Sequence, residues 1–244
     1  IGFKYYDVQV DDKKLVEMNI DDAKKLGANI AENAEVINAK RDADGWKITL
    51  KDNQIIKAKI LINAAGPWIN KIINNVIKIK NNKSIRLIRG SHIITNKLYN
   101  EDVAFTLQND DKRFVFIIPH KKKYSLIGTT EVDVNSPENP KISSEEKNYL
   151  INAVNNNFVK QISDKDIVDT YSGIRPLIED FKDASKVTRD YVFDLNLQNK
   201  NAPLLNIYGG KLTTYRKLSE KVMEELKPYL PIHNTKKWTH LKKL

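Results

Sequence analysis

The pattern of apolar and polar residues changes twice along this 244-residue chain. Helical and strand-like periods alternate up to about residue 71, strand-like runs then dominate, and a strand leading into a helix follows near residue 209. Successive strand-like runs separated by turn residues are typical of antiparallel sheets, whereas strands alternating with helices are typical of layered domains. The pattern therefore predicts a mixed fold, α/β (α+β), in which an antiparallel sheet lies between two parts of a layered domain.

The first stretch begins with a predicted helix and a hairpin. Asp11 or Asp12 is a suitable N-cap and Gly27 a suitable C-terminal cap. The residues predicted to face inward from this helix are Leu15, Met18, Ala23 and Leu26. A strand at 34–39, an Asp-Ala-Asp-Gly turn at 42–45 and a second strand follow. The second strand is predicted to bury Trp46, Ile48 and Leu50 on one face.

Residues 55–65 predict one further strand in this stretch. Its end, from Ile60 to Ala65, is nearly all apolar, which favours a strand buried on both faces as in a parallel sheet. Gly66 and Pro67 close the strand, and the proline is suited to open a helix.

The middle stretch predicts an antiparallel sheet and one helix. The strand-like runs lie at 85–88, 92–95, 104–107, 114–118 and 124–127. Ser143 caps a helix with acidic residues in its first turn, and an extended run at 167–174 follows. A strand at 191–197 and a turn at 198–201 lead into the last stretch.

The last stretch contains a glycine turn with a lysine beside it. An apolar strand reaches Gly209 and Gly210, Lys211 follows, and a helix starts at about Thr213 and ends before Pro228. Two glycines permit another molecule to approach the backbone closely. The free N–H groups at the start of a helix favour an anion or an electron-rich ring edge. An ordinary strand-to-helix turn with a surface lysine is the alternative interpretation.

The charge and the cysteine count restrict the classes of function. A net charge of +10 is compatible with nucleic acid, anionic lipid or small anions, and residues 70–89 carry six basic residues and no acid. We interpret that segment as a solvated or membrane-facing surface and expect no nucleic-acid partner, because no nucleic-acid motif accompanies it. The absence of cysteine excludes disulfides and thiolate metal sites, and we predict no metal site.

Six motifs in one order identify a family that this chain resembles. They lie at 63–68 (NAAGPW), 85–92 (IRLIRGSH), 127–131 (IGTTE), 171–177 (YSGIRPL), 188–191 (TRDY) and 209–217 (GGKLTTYRK). Together they resemble the FAD-dependent (respiratory) glycerol-3-phosphate dehydrogenases, over residues 2 to about 229. The resemblance implies a partial FAD-binding domain of the glutathione-reductase-like kind at 1–71 and 186–230, an antiparallel substrate domain at 72–185, and a basic tail at 231–244.

The resemblance also implies an activity. The family oxidises sn-glycerol 3-phosphate to dihydroxyacetone phosphate, reduces FAD and passes electrons to a membrane quinone. It implies a cytoplasmic location with peripheral contact at the inner face of the membrane.

The chain departs from the family pattern at both ends. The family opens with a G-x-G-x-x-G turn that cradles the FAD pyrophosphate, whereas Gly2 and Gly27 stand alone here. The family's helical C-terminal domain is absent as well. We therefore expect an incomplete chain, which a separate N-terminal chain would complete or which would be inactive.

The resemblance assigns roles to residues within the matching motifs. Lys211 and the N–H groups of Leu212, Thr213 and Thr214 would meet the pyrimidine edge of the flavin, next to Gly210, and Lys211 would also touch substrate. Arg175 would be a substrate arginine, since a guanidinium holds phosphate bidentately. A surface ion pair is the alternative for Arg175.

Other assignments leave more than one interpretation open. His92 is either the catalytic base or a core histidine with satisfied hydrogen bonds, and Thr130 lines the substrate pocket or is structural. Ala64, Ala65 and Gly66 would pack against the dinucleotide part of FAD. Val36 would offer backbone groups to the adenine, or is plain core.

Two other functions compete with this one. The first is an amino-acid oxidase of the same fold, which a substrate comparison would distinguish. The second is a non-catalytic basic protein that binds membrane or nucleic acid, which would bind DNA with a steep salt dependence.

Overall fold

The computed structural model describes residues 2–42, 44–80, 83–178, 190–198, 201–231 and 237–242. The chain forms two compact units. The first unit comprises Ile1–Leu61, Asn196–Leu204 and Gly210–Leu244, and the second comprises Ile62–Leu195 and Leu205–Gly209. The predicted domain boundary at 185/186, the first two residues of the motif at 188–191 and the middle of the turn at 198–201 lie outside the described residues.

The first unit begins with helix α1, Asp12–Lys25. Asp11 is its N-cap, with its side chain accepting a hydrogen bond from the Lys14 backbone N–H at 3.0 Å, and Gly27 follows at φ +93°. Leu15 and Ala23 are partly buried as predicted. The prediction for Leu26 is wrong, because its side chain is 65% exposed. Leu26 is the C-cap residue with ψ 6°, so its backbone has left the helical geometry that would place it on the buried stripe.

The first sheet contains β1 (Val36–Asp42), β2 (Gly45–Leu50) and β3 (Ile55–Ala58), in the antiparallel order β1-β2-β3. Trp46, Ile48 and Leu50 are all buried, which confirms the predicted strand face. The Trp46 indole N–H donates to the backbone carbonyls of Ala202 and Pro203 at 3.1 and 3.0 Å. The tryptophan therefore satisfies its polar atom while it fills the core.

The single strand predicted for residues 55–65 is two strands in two sheets. After β3 the chain bends, and β4 (Leu61–Asn63) pairs in another sheet. Ile62 is 44% exposed, so β4 is not buried on both faces. The buried side of β4 is polar, because the Asn63 amide donates to Asn206 Oδ1 at 3.1 Å and to the Ile69 carbonyl at 3.3 Å.

A short helix follows the glycine and proline of this region, as predicted. Gly66–Trp68 form a 3-10 turn with Pro67 in its first positions. The chain continues through α2 (Ile69–Lys71) into a π-helical segment, Ile72–Ile77. Ile69 and Ile73 are fully buried and pack with Tyr208 in one cluster.

The second unit contains a six-stranded antiparallel sheet, as predicted. Its strands are β5 (Ile85–Asn96), β6 (Phe105–Gln108), β7 (Phe114–His120), β8 (Tyr124–Gly128), β9 (Val132–Val134) and β10 (Ile167–Ile178). The order is β10-β5-β8-β7-β6, and β9 pairs with β5. The two runs predicted at 85–88 and 92–95 are one continuous strand, β5.

One face of this sheet packs against helix α3, Ser144–Asn155. Ile93, Ile117 and Ile127 of the sheet are fully buried together with Leu150 and Val154 of the helix. Ser143 caps the helix, and its hydroxyl and the Glu146 carboxylate exchange hydrogen bonds with each other's backbone N–H. The predicted serine cap is confirmed. The opposite face of the sheet carries exposed side chains, among them Tyr171, Phe114 and Phe116.

The third sheet has the order β11-β12-β4, with β11 at Tyr191–Gln198 and β12 at Asn201–Gly209. A 3-10 turn, Leu212–Thr214, leads from β12 into helix α4, Tyr215–Leu226. Val222 and Leu226 are buried, as the helical spacing predicts. Within the described ranges, no helix is both long and apolar enough to cross a membrane.

Candidate functional site

The exposed face of the six-stranded sheet brings several predicted residues into one row. Tyr171 of β10 pairs with His92 of β5, His92 pairs with Gly128 of β8, and Gly128 pairs with Phe116 of β7. Directly paired residues of antiparallel strands share a face. The row therefore places one glycine between a histidine and a phenylalanine, and this glycine is a gap in the surface.

His92 leans over that gap. Its ring stacks on Tyr171 with a centroid distance of 4.6 Å and an interplanar angle of 3°. A Cβ on Gly128 would lie 2.6 Å from His92 Cγ, so the ring fits only because residue 128 is glycine. Nδ1 of His92 is buried and has no hydrogen-bond partner within the described part of the chain. His92 is thus not a core histidine with both nitrogens satisfied.

The environment of His92 keeps the imidazole neutral. Burial, and then the positive charge of Arg175, lower the pKa of His92 from 6.5 to about 4. At pH 7 the ring is therefore unprotonated. A neutral imidazole keeps a lone pair on one ring nitrogen, which is able to accept a proton or a hydrogen bond.

Arg175 lies four residues along β10 from Tyr171, which places it on the same face. Its Nη2 donates to Thr129 Oγ1 at 3.1 Å, and its Nη1 lies 3.8 Å from Glu131 Oε1. A Cβ on Gly90 would lie 2.8 Å from Arg175 Nη2 and 2.7 Å from Thr129 Oγ1. Gly90 therefore makes room for the guanidinium itself. Its partner Gly173 has no atom of the described residues within 4 Å of where a Cβ would stand, so open space lies beside the guanidinium. An arginine and a neutral histidine flanking glycine positions are suited to an anionic ligand that also carries a hydroxyl group.

Thr130 lies on the other side of the sheet from this row. Its hydroxyl donates to Glu146 Oε1 at 2.5 Å and accepts from the Ser91 backbone N–H at 2.9 Å. Thr130 is 1% exposed. The threonine beside Arg175 is instead its neighbour Thr129, which the sequence analysis did not single out.

The predicted cofactor turn belongs to the first unit. Gly209 and Gly210 have φ of +71° and +104°, values that favour glycine. Gly210, Lys211, Leu212 and Thr213 are exposed, and no side chain caps the start of the 3-10 turn that they enter. The Leu212 side chain lines an apolar pocket of about 250 Å³ against α1, and its other lining residues include Leu15, Ile20, Ala23, Ile30 and Tyr215. The Lys211 side chain lies at the surface.

The remaining predicted cofactor residues lie in two places. Ala64, Ala65 and Gly66 follow β4, and Gly66 has φ +52° with open space where a Cβ would stand. Val36 is the first residue of β1, where the register with β2 shifts by an irregularity, and it is partly buried.

These segments fit a flavin nucleotide in their chemistry. Uncapped backbone N–H groups, a lysine and a positive-φ glycine turn suit the electron-rich edge of a flavin ring. The open backbone at Gly66 suits close approach of a nucleotide. In the first unit, Lys211, Leu212 and Thr213 are suited to hold a ring edge. In the second unit, Ala65 and Gly66 are suited to lie against a nucleotide.

A family model described as "FAD dependent oxidoreductase" matches residues 2–216. The chain therefore belongs to this family, whose cofactor is FAD.

Two curated relatives share much of the sequence. The chain is 42% identical over 235 residues to the aerobic glycerol-3-phosphate dehydrogenase of Escherichia coli, covering 93% of this chain and 47% of the relative. It is 39% identical over 246 residues to the D-erythritol 1-phosphate dehydrogenase of Brucella abortus, covering 98% of this chain and 49% of the relative. The chain thus spans about half the length of the curated relatives it matches.

A solved structure shares the fold. The glycerol-3-phosphate dehydrogenase of Bacillus halodurans, determined in complex with FAD, superimposes with a TM-score of 0.78 at 25% identity. The match covers 93% of this chain and 44% of that chain. The mixed fold with a partial FAD-binding domain and an antiparallel sheet is thereby confirmed.

Four residues of the candidate site were not predicted from the sequence: Tyr171, Gly90, Gly128 and Thr129. All four lie inside the motifs at 85–92, 127–131 and 171–177. For Gly90 and Tyr171 the sequence did carry a signal. Gly90 lies two residues from His92 and Tyr171 lies four residues from Arg175, and such even spacing places each pair on one face of a strand.

Proposed function

We propose that this chain takes part in the FAD-dependent oxidation of sn-glycerol 3-phosphate to dihydroxyacetone phosphate. The observation that supports this most directly is the exposed face that carries Arg175 and His92 around facing glycines. The two curated relatives are both named as dehydrogenases of a phosphorylated polyol. A phosphorylated polyol presents one anionic group and several hydroxyl groups, which is the chemistry that this face is suited to bind.

Arg175 binds the phosphate in this proposal. Its guanidinium is already oriented by Thr129 and lies over Gly90, and the open position at Gly173, two residues before it in β10, leaves space for phosphate oxygens. Preorganised guanidinium groups form bidentate, charge-assisted hydrogen bonds to phosphate. The positive charge that lowers the pKa of His92 would then be offset by the bound anion.

His92 accepts the proton of the substrate hydroxyl. Its ring is held by Tyr171 and its Nδ1 is unpartnered within the described residues. Burial is the larger cause of the low imidazole pKa and the charge of Arg175 the smaller, so the bound anion raises this pKa while burial still keeps it below its ordinary value. FAD, when bound, supplies the two-electron acceptor that takes the hydride from the alcohol carbon.

Lys211 stabilises negative charge at the cofactor in the same proposal. It follows two glycines and precedes the uncapped start of a helix, so its ammonium group and the N–H groups of Leu212 and Thr213 act together. Electrons then pass to a quinone, and the protein makes peripheral contact with the inner, cytoplasmic face of a membrane.

The test is the spectrum of the chain after incubation with FAD and desalting. A retained band near ~450 nm reports the bound flavin. Its loss on anaerobic addition of glycerol 3-phosphate reports the reaction. Lys211→Met should weaken flavin retention or bleaching, whereas the matched control Lys217→Met should not, because the Lys217 side chain is exposed and lies 3.5 Å from Glu220 on the same helix.

A second pair of variants tests the proposed contact between Arg175 and the substrate. Arg175→Lys should raise the glycerol 3-phosphate concentration for half-bleaching roughly 10-fold or more, since the bidentate fork is lost. Arg113→Lys, a change in the turn between β6 and β7 at an arginine paired with Asp111, should leave that concentration unchanged. A chain that retains no flavin, or a retained flavin that glycine bleaches and glycerol 3-phosphate does not, would contradict the proposal. Preferential bleaching by D-erythritol 1-phosphate would keep the reaction class and change the substrate.

A further inference from the structure

Three segments of the second unit carry the candidate substrate residues, and each has a polar neighbour on the opposite face of the sheet. Ser91 precedes His92 in β5, Ser172 follows Tyr171 in β10, and Thr130 follows Thr129 after β8. Successive residues of a strand point to opposite faces. The polar neighbours therefore lie beneath the residues that form the exposed row.

These neighbours meet at one carboxylate. Glu146 of α3 is only 4% exposed and accepts hydrogen bonds from Ser91 Oγ at 2.8 Å and Thr130 Oγ1 at 2.5 Å. Ser91 Oγ in turn lies 2.8 Å from Ser172 Oγ. A helix residue is thus connected to all three segments.

The second oxygen of Glu146 is equally occupied. Oε2 accepts from Arg89 Nη2 at 2.7 Å and from the Ser143 backbone N–H at 2.9 Å. Burial raises the pKa of this carboxyl group, but the hydrogen bonds from Thr130, Ser143, Ser91 and Arg89 outweigh burial and hold the pKa below its ordinary value. Glu146 is therefore ionised at neutral pH, with four donors converging on it from the cap and the sheet.

We propose that Glu146 is a positioning residue for the polyol-phosphate site. From the covered face of the sheet it fixes the relative placement of His92, through Ser91, and of Arg175, through Thr130 and Thr129. This inference rests on the proposed function for the identity of the ligand. A helix cap alone needs only the Ser143 contact, so the hydroxyl groups of Ser91 and Thr130 are the part of the network that the cap does not explain.

The replacement Glu146→Gln separates these roles. An amide keeps the size of the side chain but accepts at only one oxygen. The hydroxyl groups of Ser91 and Thr130 are able to rotate and accept hydrogen bonds from the amide N–H groups. Arg89 and the Ser143 N–H are only able to donate. The network of Ser91 and Thr130 must therefore rearrange. Asn155→Ala is the matched control, because Asn155 lies on the same helix and bonds only the loop residues Ile162 and Gln161 in the described contacts.

Three measurements distinguish positioning from stability. Calorimetry gives the affinity for sn-glycerol 3-phosphate, the ring signals of His92 in NMR spectra report its placement, and thermal unfolding reports stability. Glu146→Gln should weaken binding roughly 10-fold and shift the His92 signals, the effect expected from a small misplacement within a site. Asn155→Ala should lower the unfolding temperature and leave both the affinity and the His92 signals unchanged. The His120 signal is an internal reference, and His92→Gln assigns the peak.

Each outcome supports or contradicts the positioning role of Glu146, the proposed function, or both. If Glu146→Gln resembles Asn155→Ala, the positioning role is wrong. If the unchanged chain binds no glycerol 3-phosphate but the His92 signals still shift in Glu146→Gln, the proposed function fails and the positioning of His92 stands. If neither is seen, both fail. Should Glu146→Gln not fold, Ser91→Ala removes one link of the same network and is judged by the same shift and affinity.

Discussion

At the scale of single residues, His92 makes stability depend on pH. Its pKa is about 4 in the folded chain and about 6.5 when unfolded, so between these values the unfolded chain binds a proton that the folded chain does not. Stability from the neutral imidazole is complete above the unfolded pKa and is lost as pH falls towards the folded value. We expect the free energy of unfolding to drop by about 2 kcal/mol through this group between pH 7.5 and 5.

Urea unfolding at these two pH values checks this. His92→Gln should remove most of the difference, and His120→Gln, in the same sheet, should retain it. Glu146 does not confuse the result. Its ionised carboxylate stabilises the folded chain through a lowered pKa, and that stability is lost only as pH falls below the unfolded pKa of about 4.3. An unchanged slope in His92→Gln would show that the imidazole is not buried as described.

At the scale of elements, the capping box at the start of α3 is an interaction between residues close in sequence. The Ser143 hydroxyl accepts from the Glu146 backbone N–H at 3.2 Å. Ser143→Ala should lower the free energy of unfolding by about 1 kcal/mol. Ser144→Ala, one position further on and outside the cap, should change it by less than about 0.5 kcal/mol. Equal effects in urea unfolding would mean that the cap contributes nothing beyond helix propensity.

Such local devices are what the sequence could predict. The serine cap, the Asp-Gly hairpin between β1 and β2, and the buried Trp46 face each depend on residues close in sequence. The break between β3 and β4 was not predictable, because it depends on Asn63 finding Asn206, which lies 143 positions away. The same holds for the site. Its residues lie in recognisable motifs, but the row of Tyr171, His92 and Gly128 exists only through the register of three strands.

At the scale of the whole molecule, the chain matches about half of its relatives' length and shares their fold. The motifs that carry the likeness fall in both compact units, with the proposed substrate residues His92 and Arg175 in the second and the proposed cofactor residue Lys211 in the first. The two proposed roles are therefore separable in experiment. Changes at Arg175 should act on ligand affinity, and changes at Lys211 on the flavin spectrum.

The net charge of +10 is compatible with binding to nucleic acid, and the ion pairs in the structure affect that interpretation. In the acid-free segment 70–89, three of the six cations have acidic partners from elsewhere in the second unit. Lys71 lies 3.2 Å from Glu138, Arg89 lies 2.7 Å from Glu146, and Arg86 pairs with Asp133. The segment is therefore much less positive than its sequence indicates.

Binding to DNA should accordingly be weak and only shallowly dependent on salt. Because ion pairs already occupy Lys71, Arg86 and Arg89, binding that goes through this segment should give a slope of log K against log salt of no more than about 3 in magnitude. Fluorescence anisotropy with a labelled duplex between 50 and 200 mM salt, a range in which many-contact binders lose several orders of magnitude, measures this slope. Lys78→Glu with Lys80→Glu should abolish the residual binding, whereas Lys71→Ala, which removes an already paired cation, should leave it. A slope of about 6 or more would mean that these ion pairs open in favour of phosphate, and would restore the basic-protein alternative.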